Sequence, residues 1–362
     1  MKIGIVGLPN VGKSTLFNAL TGASALVANY AFATINPNVG VVPVPDPRLL
    51  RLAEIVKTKT LVPASVEFVD IAGLVKGASH GEGLGNQFLS HIREVDAILQ
   101  VVRAFEDDKI IHVTEEVDPV GDFLTVETEL ILADISHPEK RLAKVVKAAK
   151  SHEPGLLAQV DLLEKLIDHL NQGQTARSFP ASETQAEMMK SFNLLTSKAV
   201  LIAANIDEKT DLSTDPYLAQ LEELAKERAF GIIPVMALME AEITELPAQE
   251  RLAFRQEMGL VDQGLDLIIQ EAYRVSGLIS FFSGNEKEAH DWPIKRRTTA
   301  LKAAGHIHTD FERGFIRAEV IHFDDLDVMA SLALAREKGL MRSEGKTYVV
   351  QEGDYILFRF NV

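Results

Sequence analysis

The chain predicts an α/β fold: a largely parallel sheet covered on both faces, carrying a helical insertion and followed by a small α+β unit. Three observations lead there. Short apolar runs at 3–6 and 97–102 have the composition of strands buried on both sides, and helical stretches separate them. Between 118 and 197 the pattern changes to long helical periods with few glycines. After about 278, strand-like and short helical segments alternate in some 85 residues, as in a small α+β domain.

Taken in order, residues 3–6 read as a buried strand and a helix begins by Thr15. Residues 39–44 and 66–71 read as strands, and 46–56 as a helix opening on Asp46-Pro47. In the inserted part, Val160, Leu163, Ile167 and Leu170 recur at spacings of three, four and three, a coiled-coil-like seam. Pro154-Gly155 breaks one helix ending near Lys150 from another running to Leu170, so a helical hairpin is expected. Strand character resumes at 199–204, which places the hairpin within the sheet domain and not after it. A helix at 265–275 then leads to strands at 279–282, 315–323 and 348–360, with helices at 298–304 and 326–337. Glu352-Gly353-Asp354 supplies a turn that splits the last strand pair.

Composition narrows the class. With 362 residues and 46% apolar content the chain can build two or three cores. No segment approaches the roughly 20 uninterrupted apolar residues of a membrane span, and residues 1–5 lack the cleavage site of a signal peptide. Cysteine is absent, which excludes a disulfide framework and a thiolate metal site. A cytoplasmic protein is expected. The formal net charge of −15 disfavours non-specific duplex binding. Local basic sets remain: Lys295-Arg296-Arg297 with Lys302, and Lys140, Arg141, Lys144, Lys147 and Lys150 on one side of a helix. A solvated face is the alternative for both.

Chemistry concentrates at residues 7–14, GLPNVGKS, a complete G-x-x-x-x-G-K-[ST] loop between a strand and a helix. Gly7 and Gly12 allow the turn and a close backbone approach to phosphate. Lys13 is positioned to reach β- and γ-phosphates, and Ser14 to ligate Mg²⁺. Asn10, Val11, Gly12, Lys13, Ser14 and Thr15 form the expected nucleotide-contacting set. Asp70-Ile71-Ala72-Gly73 ends a strand and reads as D-x-x-G: Asp70 approaches the metal through water and the Gly73 N–H senses the γ-phosphate. Thr34 follows in chain order as the second hydroxyl on Mg²⁺, with an ordinary loop threonine as the alternative. Gly77, Gly81, Gly83 and Gly85 make the next segment permissive, as a switch requires.

These motifs resemble translation-factor-class NTPases, and more closely the YchF/Obg-like ATPase family. The resemblance covers nearly the whole chain and rests on GLPNVGKSTLFNAL, FATINPNVGVVPVPDPRL, VDIAGLVKGASHGEGLGNQFL, AANIDE and the closing EGDYILFRF. It implies a Ras-like P-loop domain at 1–117 and 198–277, an inserted coiled-coil arm at 118–197, and a ubiquitin-like TGS domain at 278–362. It also implies a ribosome or RNA partner through the arm and the TGS domain. No long exposed zipper argues for an obligate dimer, and a monomer is expected.

Asn205-Ile206-Asp207-Glu208 departs from the Asn-Lys-x-Asp of GTPases. The lengthened carboxylate of Glu208 displaces the group that reads guanine. Asn205 and nearby backbone groups, Ile206 included, could read the adenine edge instead, and in the family this altered tetrad accompanies a preference for ATP over GTP. Asp207 is the alternative reader; a GTPase of the same superfamily, or a binding scaffold in which nucleotide occupancy sets shape and hydrolysis is incidental, is the alternative protein. Met236, after Val235, occupies the position of a base-contacting loop, where ordinary strand packing explains it equally well. Leu74 stands where Ras-like enzymes carry glutamine. His80, Gln87 and His112 are the substitutes to weigh, His112 preferred, with surface or packing roles open for each. In related NTPases an asparagine at the position of Asn10 accompanies potassium dependence; a structural role is the alternative. Lacking the glutamine and an evident arginine finger, the chain is expected to turn over slowly, as a switch.

Overall fold

The computed structural model describes residues 1–25, 38–71, 84–107, 116–148, 154–258 and 264–361. The chain divides into two compact units, one comprising residues 1–41 and 67–268, the other residues 42–66 and 269–362. Along it lie β1 (Lys2–Val6), α1 (Lys13–Ala25), β2 (Val39–Pro43), α2 (Pro47–Val56), β3 (Leu61–Val62), β4 (Ser65–Asp70), α3 (Leu84–Glu94) and β5 (Ala97–Arg103). Then come α4 (Pro119–Ala148), α5 (Pro154–Asn171), α6 (Glu183–Lys190), β6 (Ala199–Asn205), α7 (Pro216–Arg228), β7 (Gly231–Val235), α8 (Ala237–Glu245), α9 (Ala248–Glu257) and α10 (Gly264–Val275). The last part holds β8 (Leu278–Gly284), β9 (Ala289–Lys295), α11 (Ala300–Ile307), α12 (Thr309–Arg313), β10 (Phe315–His322), α13 (Phe323–Met329), α14 (Leu332–Glu337), β11 (Arg342–Glu344) and β12 (Asp354–Phe360).

In the first unit the sheet order is β2-β4-β1-β5-β6-β7. β1 pairs in parallel with both β4 and β5, and β5-β6 and β6-β7 are also parallel. Every residue of β5 is buried, as a strand covered on both faces must be. Because β1 lies between β4 and β5, the loop after it opens at the point where the connections diverge to opposite sides. Parallel sheets bind ligands there.

α4 and α5 form the expected hairpin. Its seam differs slightly from the sequence reading: Leu162, Leu163, Leu166 and Leu170 are buried with Ile131, Val145 and Phe192, while Val160 and Ile167 are half-buried. Two buried acids tie the hairpin down. Asp134 accepts from Leu195 N–H and Thr196 N–H, each at 2.8 Å, and from Thr196 Oγ1 at 2.7 Å. Burial raises its pKa above the ordinary value while those three hydrogen bonds hold it back. Glu127 accepts from Arg177 Nη2 at 2.8 Å and Arg228 Nη1 at 3.3 Å, and the Arg177 guanidinium lies over the Phe230 ring.

The second unit is a six-stranded mixed sheet ordered β11-β10-β12-β8-β9-β3. Strand alternation sends Phe282, Ile321 and Tyr355 to one face, under α2, α13 and α14, and Phe281, Val320 and Ile356 to the other, with α11. Residues 42–66, read from sequence with the nucleotide domain, belong here: Leu49, Leu52, Ala53 and Val56 of α2 join the first of these cores. Asp46 caps α2 by accepting from Arg48 N at 2.9 Å. The Arg48 guanidinium then bonds Asp46 and Glu352, while Glu352 accepts from Ser280 N–H at 3.0 Å.

This unit departs further from the sequence expectation: β3, β9, β11 and α12 were not expected, of the strand pair expected over 348–360 only β12, from Asp354, is a strand, and the helix expected over 326–337 is two, α13 and α14. Ala330, at φ 48°, ends α13 in the left-handed region, and Ser331 caps α14.

Candidate functional site

The loop after β1 is shaped by what surrounds it. Gly7 cannot carry a side chain, since a Cβ there would stand 2.5 Å from the Val101 carbonyl oxygen on β5. Asn10 (φ 62°) and Gly12 (φ +98°) turn the chain through the left-handed region. Val11 is buried, and α1 begins at Lys13, so its first N–H groups and its partial positive charge face the loop interior. Ser14 is exposed and Thr15 half-buried on its first turn.

Lys13 is 8% exposed, and its Nζ donates to the Leu8 carbonyl at 2.6 Å. Burial lowers its pKa, with Asp70 opposing the shift. A largely desolvated ammonium held by a neutral carbonyl, on the first turn of a helix, suits a polyanion. Ser14 Oγ donates to Asp70 Oδ2 at 2.9 Å, so the ends of β4 and of the phosphate loop bring a hydroxyl and a carboxylate together. Hard oxygen donors in small number suit Mg²⁺, which keeps several waters and relies on phosphates for the rest of its shell. Among the described residues no group of three or more His, Cys, Asp or Glu could hold a metal without such help.

Asn205, at the end of β6, is 6% exposed and spans the site. Its Nδ2 donates to the Val11 carbonyl at 2.9 Å, and its Oδ1 accepts from Ala237 N–H, the first residue of α8, at 3.2 Å. Ile206 is buried and its N–H bonds the Val235 carbonyl. Asp207 folds back on its own loop, Oδ1 accepting from Thr210 Oγ1 at 2.7 Å and Lys209 N–H at 3.1 Å. Glu208 is exposed, and Met236 is half-buried just before α8. Thr34, Gly73 and His112 lie outside the described residues, as do Leu74 and His80; Gln87 falls in α3, its side chain outside them too.

Sequence reasoning missed three contributors. Leu8 supplies the carbonyl that holds Lys13, and Ala237 the N–H that holds Asn205; both act through backbone and leave no mark in composition. Arg103, 1% exposed at the end of β5, donates to the carbonyls of Phe105 at 3.0 Å and Asp107 at 3.2 Å and lies over the Phe105 ring. A charged residue closing a strand that is apolar but for Gln100 was the available signal.

The strand–loop–helix, the buried Lys13 and the Ser14–Asp70 pair define a P-loop nucleoside triphosphatase. A family model described as 50S ribosome-binding GTPase matches residues 2–133, and the YchF-GTPase C-terminal model, described as a protein of unknown function, matches 278–361. The Ribosome-binding ATPase YchF of Bacillus subtilis is 50% identical over 361 residues, 99% of each chain, and that of Escherichia coli O157:H7 is 48% identical over 100% of this chain and 99% of its own. The solved structure of the Schizosaccharomyces pombe YchF GTPase superposes with a TM-score of 0.89 at 38% identity, covering 99% of this chain and 97% of that one. The chain belongs to the YchF family.

Proposed function

We propose that this chain is a ribosome-binding ATPase that works as a slow molecular switch. Residues 278–362 are read as a ubiquitin-like TGS domain whose unit also takes in residues 42–66, 118–197 as an inserted arm, and the remainder of 1–117 with 198–277 as the nucleotide domain. The names of the bacterial relatives support the ATPase and ribosome assignments. Among the described residues no helix is long and apolar enough to cross a membrane. A monomer in the cytoplasm is the proposed form.

In this reading residues 7–15 wrap the triphosphate with backbone N–H groups. Lys13 exchanges the Leu8 carbonyl for β- and γ-phosphate oxygens, regaining the countercharge that burial denies it. Ser14 and Asp70, with Thr34, are the groups that would hold Mg²⁺, which when bound would supply countercharge to the phosphates. Gly73 N–H is assigned to sensing the γ-phosphate and His112 to orienting the attacking water, Leu74 having no group for that task. Asn10 is the residue that would help to hold a K⁺, which when bound would add positive charge beside the phosphates.

The observation that carries the base preference is Asn205. With its amide bonded at both ends inside the protein, it serves as a brace between the phosphate loop and α8, and Asp207 is engaged by Thr210 and Lys209. That leaves exposed Glu208 to face a base, and its extra methylene misplaces the carboxylate for guanine. Calorimetry with non-hydrolysable ATP and GTP analogues tests this on the intact chain and on Glu208→Asp. ATP binding more tightly, with GTP gaining on substitution, is the expected result. Tighter GTP binding by the intact chain would move it to the GTPases, the activity for which the Schizosaccharomyces pombe protein is named.

A further inference from the structure

Helix α8 has no cap of its own. Met236, the residue before it (φ −90°, ψ 80°), offers no side-chain acceptor to the first N–H groups, so what orients the start of the helix comes from elsewhere in the chain. One such group is Asn205, whose Oδ1 accepts from Ala237 N–H at 3.2 Å. The other is on the far side of the same turn. There the Glu240 N–H donates to the Met236 carbonyl at 2.9 Å, and the Glu240 side chain, in a residue only 5% exposed, reaches α9.

The Arg255 fork grips that carboxylate: Nη1 donates to Oε1 at 3.1 Å, and Nη2 to Oε2. One turn earlier on α9, Arg251 donates through Nε to the Leu246 carbonyl at 2.9 Å and through Nη2 to the Thr244 carbonyl. Two arginines one turn apart on α9 therefore meet α8 at two levels, Glu240 and Thr244, that are also one turn apart. Contacts at two levels fix α8 both along its axis and in rotation. The start of α10 closes on the pair, since a Cβ on Gly264 would lie 3.5 Å from Glu240 Oε1 and 3.7 Å from Val235 Cγ2. Asp266, on the first turn of α10, feels the same charges: burial raises its pKa, with Arg255 opposing and Glu240 adding to the rise.

We propose that Glu240 and Arg255 are positioning residues for the nucleoside end of the bound nucleotide, acting through the turn at Met236 and Ala237. A buried ion pair is often no better for stability than apolar residues of the same volume. A bidentate fork, however, admits one geometry. What the pair supplies is a fixed direction for residues 236–240, which Asn205 pins at one end and Arg255 at the other. Neither residue touches the ligand. The role rests on the ATPase reading, with Met236 at the base-contacting turn, and adds that affinity for the nucleoside is set from α9.

The test uses the full chain with Arg255→Lys, which keeps the charge and loses the fork, and with Glu240→Gln plus Arg255→Gln, which leaves neither member of the pair charged. Affinity for a non-hydrolysable ATP analogue is measured by calorimetry, inorganic tripolyphosphate is titrated as its competitor, and kcat is recorded at saturating ATP. Tripolyphosphate meets the phosphate loop and has no base. Expected is analogue affinity lowered about threefold by Arg255→Lys and about tenfold by the glutamine pair, the scale of a small misplacement of a binding group. Tripolyphosphate affinity and kcat are expected to stay within about twofold of wild type, as when only uniform binding is lost. Analogue and tripolyphosphate affinities falling by the same factor would overturn the proposal, because the damage would then reach the phosphate loop. Unchanged analogue affinity in both variants would overturn it too. Should far-UV circular dichroism show the glutamine pair unfolded, Arg255→Lys decides alone. A wild-type chain that binds the GTP analogue more tightly sinks the ATPase reading only, and the same comparison with that analogue then judges the pair.

Discussion

A Cβ on Gly12 would stand 2.3 Å from Nδ2 of Asn205, so the phosphate loop and the end of β6 close on each other with no space for a side chain. The same Asn205 amide bonds the Val11 carbonyl and the Ala237 N–H. Phosphate loop, β6 and α8 are thereby fixed as one piece.

Two substitutions separate the halves of that arrangement. Gly12→Ala forces a Cβ into the amide at a φ of +98° and is expected to abolish detectable nucleotide binding. Asn205→Ala leaves Val11 O and Ala237 N–H without their partner, at a cost of about 2–3 kcal/mol in stability. Urea unfolding with and without ATP analogue checks both, and a wild-type profile for Asn205→Ala would remove the brace from the account.

Lys13→Met should divide binding from stability. Analogue affinity is expected to fall more than about tenfold, since the amine that meets the phosphates is gone. The unfolding midpoint of the free chain is expected to hold or rise, because the substitution removes a charge that burial already disfavours. A chain that melts earlier yet still binds would contradict this.

The C-terminal sheet carries its own pH dependence. Asp291, 3% exposed, has both carboxylate oxygens without a hydrogen-bond partner among the described residues, and burial pushes its pKa up to about 7, helped by Asp46 and Glu352 and opposed by Ser280 and Arg48. Between about pH 4 and 7 the folded chain therefore holds a proton that the unfolded chain has released, and stability falls by about 1.4 kcal/mol per pH unit as pH rises. Asp291→Asn should flatten that slope, raising the unfolding midpoint at pH 8 and leaving it nearly unchanged at pH 4. Trp292, the single tryptophan, is the next residue and gives the fluorescence signal. Equal slopes in both proteins would mean that Asp291 is ionised throughout.

Asp134 predicts a difference between two acceptors. Asparagine there keeps one acceptor oxygen but turns an NH₂ toward donors of Leu195 and Thr196, so Asp134→Asn is expected to cost about 2–3 kcal/mol, on the scale of a buried unsatisfied donor. Chemical denaturation followed by far-UV circular dichroism, which reports the long α4 and α5, measures it.

The sequence made some of this legible for physical reasons. The phosphate loop could be read because its glycines sit where backbone and neighbours forbid a Cβ, and the strands of the parallel sheet because burial on both faces needs unbroken apolar runs. β9 could not: Ala289-His290-Asp291-Trp292-Pro293 mixes charge, proline and an aromatic, and its strand pairing is imposed by β8. The break between α13 and α14 was hidden because an alanine, not a glycine, adopts the left-handed turn. At the site, Asn205 was visible as a residue but its bonds were not, because both run to backbone groups distant in sequence. Glu208 was legible only as a departure from a pattern. α2 was legible as a helix from its Asp46-Pro47 opening, which carries no information on what covers Leu49, Leu52 and Val56.

That cover has a consequence for biosynthesis. Leu49, Leu52, Ala53 and Val56 leave the synthesis machinery more than two hundred residues before Phe282, Ile321 and Tyr355, the residues that enclose them. An emerging chain must carry this oily helix uncovered through most of translation, and a chain cut before β8 carries it permanently. Exchanging the C-terminal portion between relatives would therefore require transplanting residues 42–66 along with it. The order of the genetic text and the order of assembly are different here.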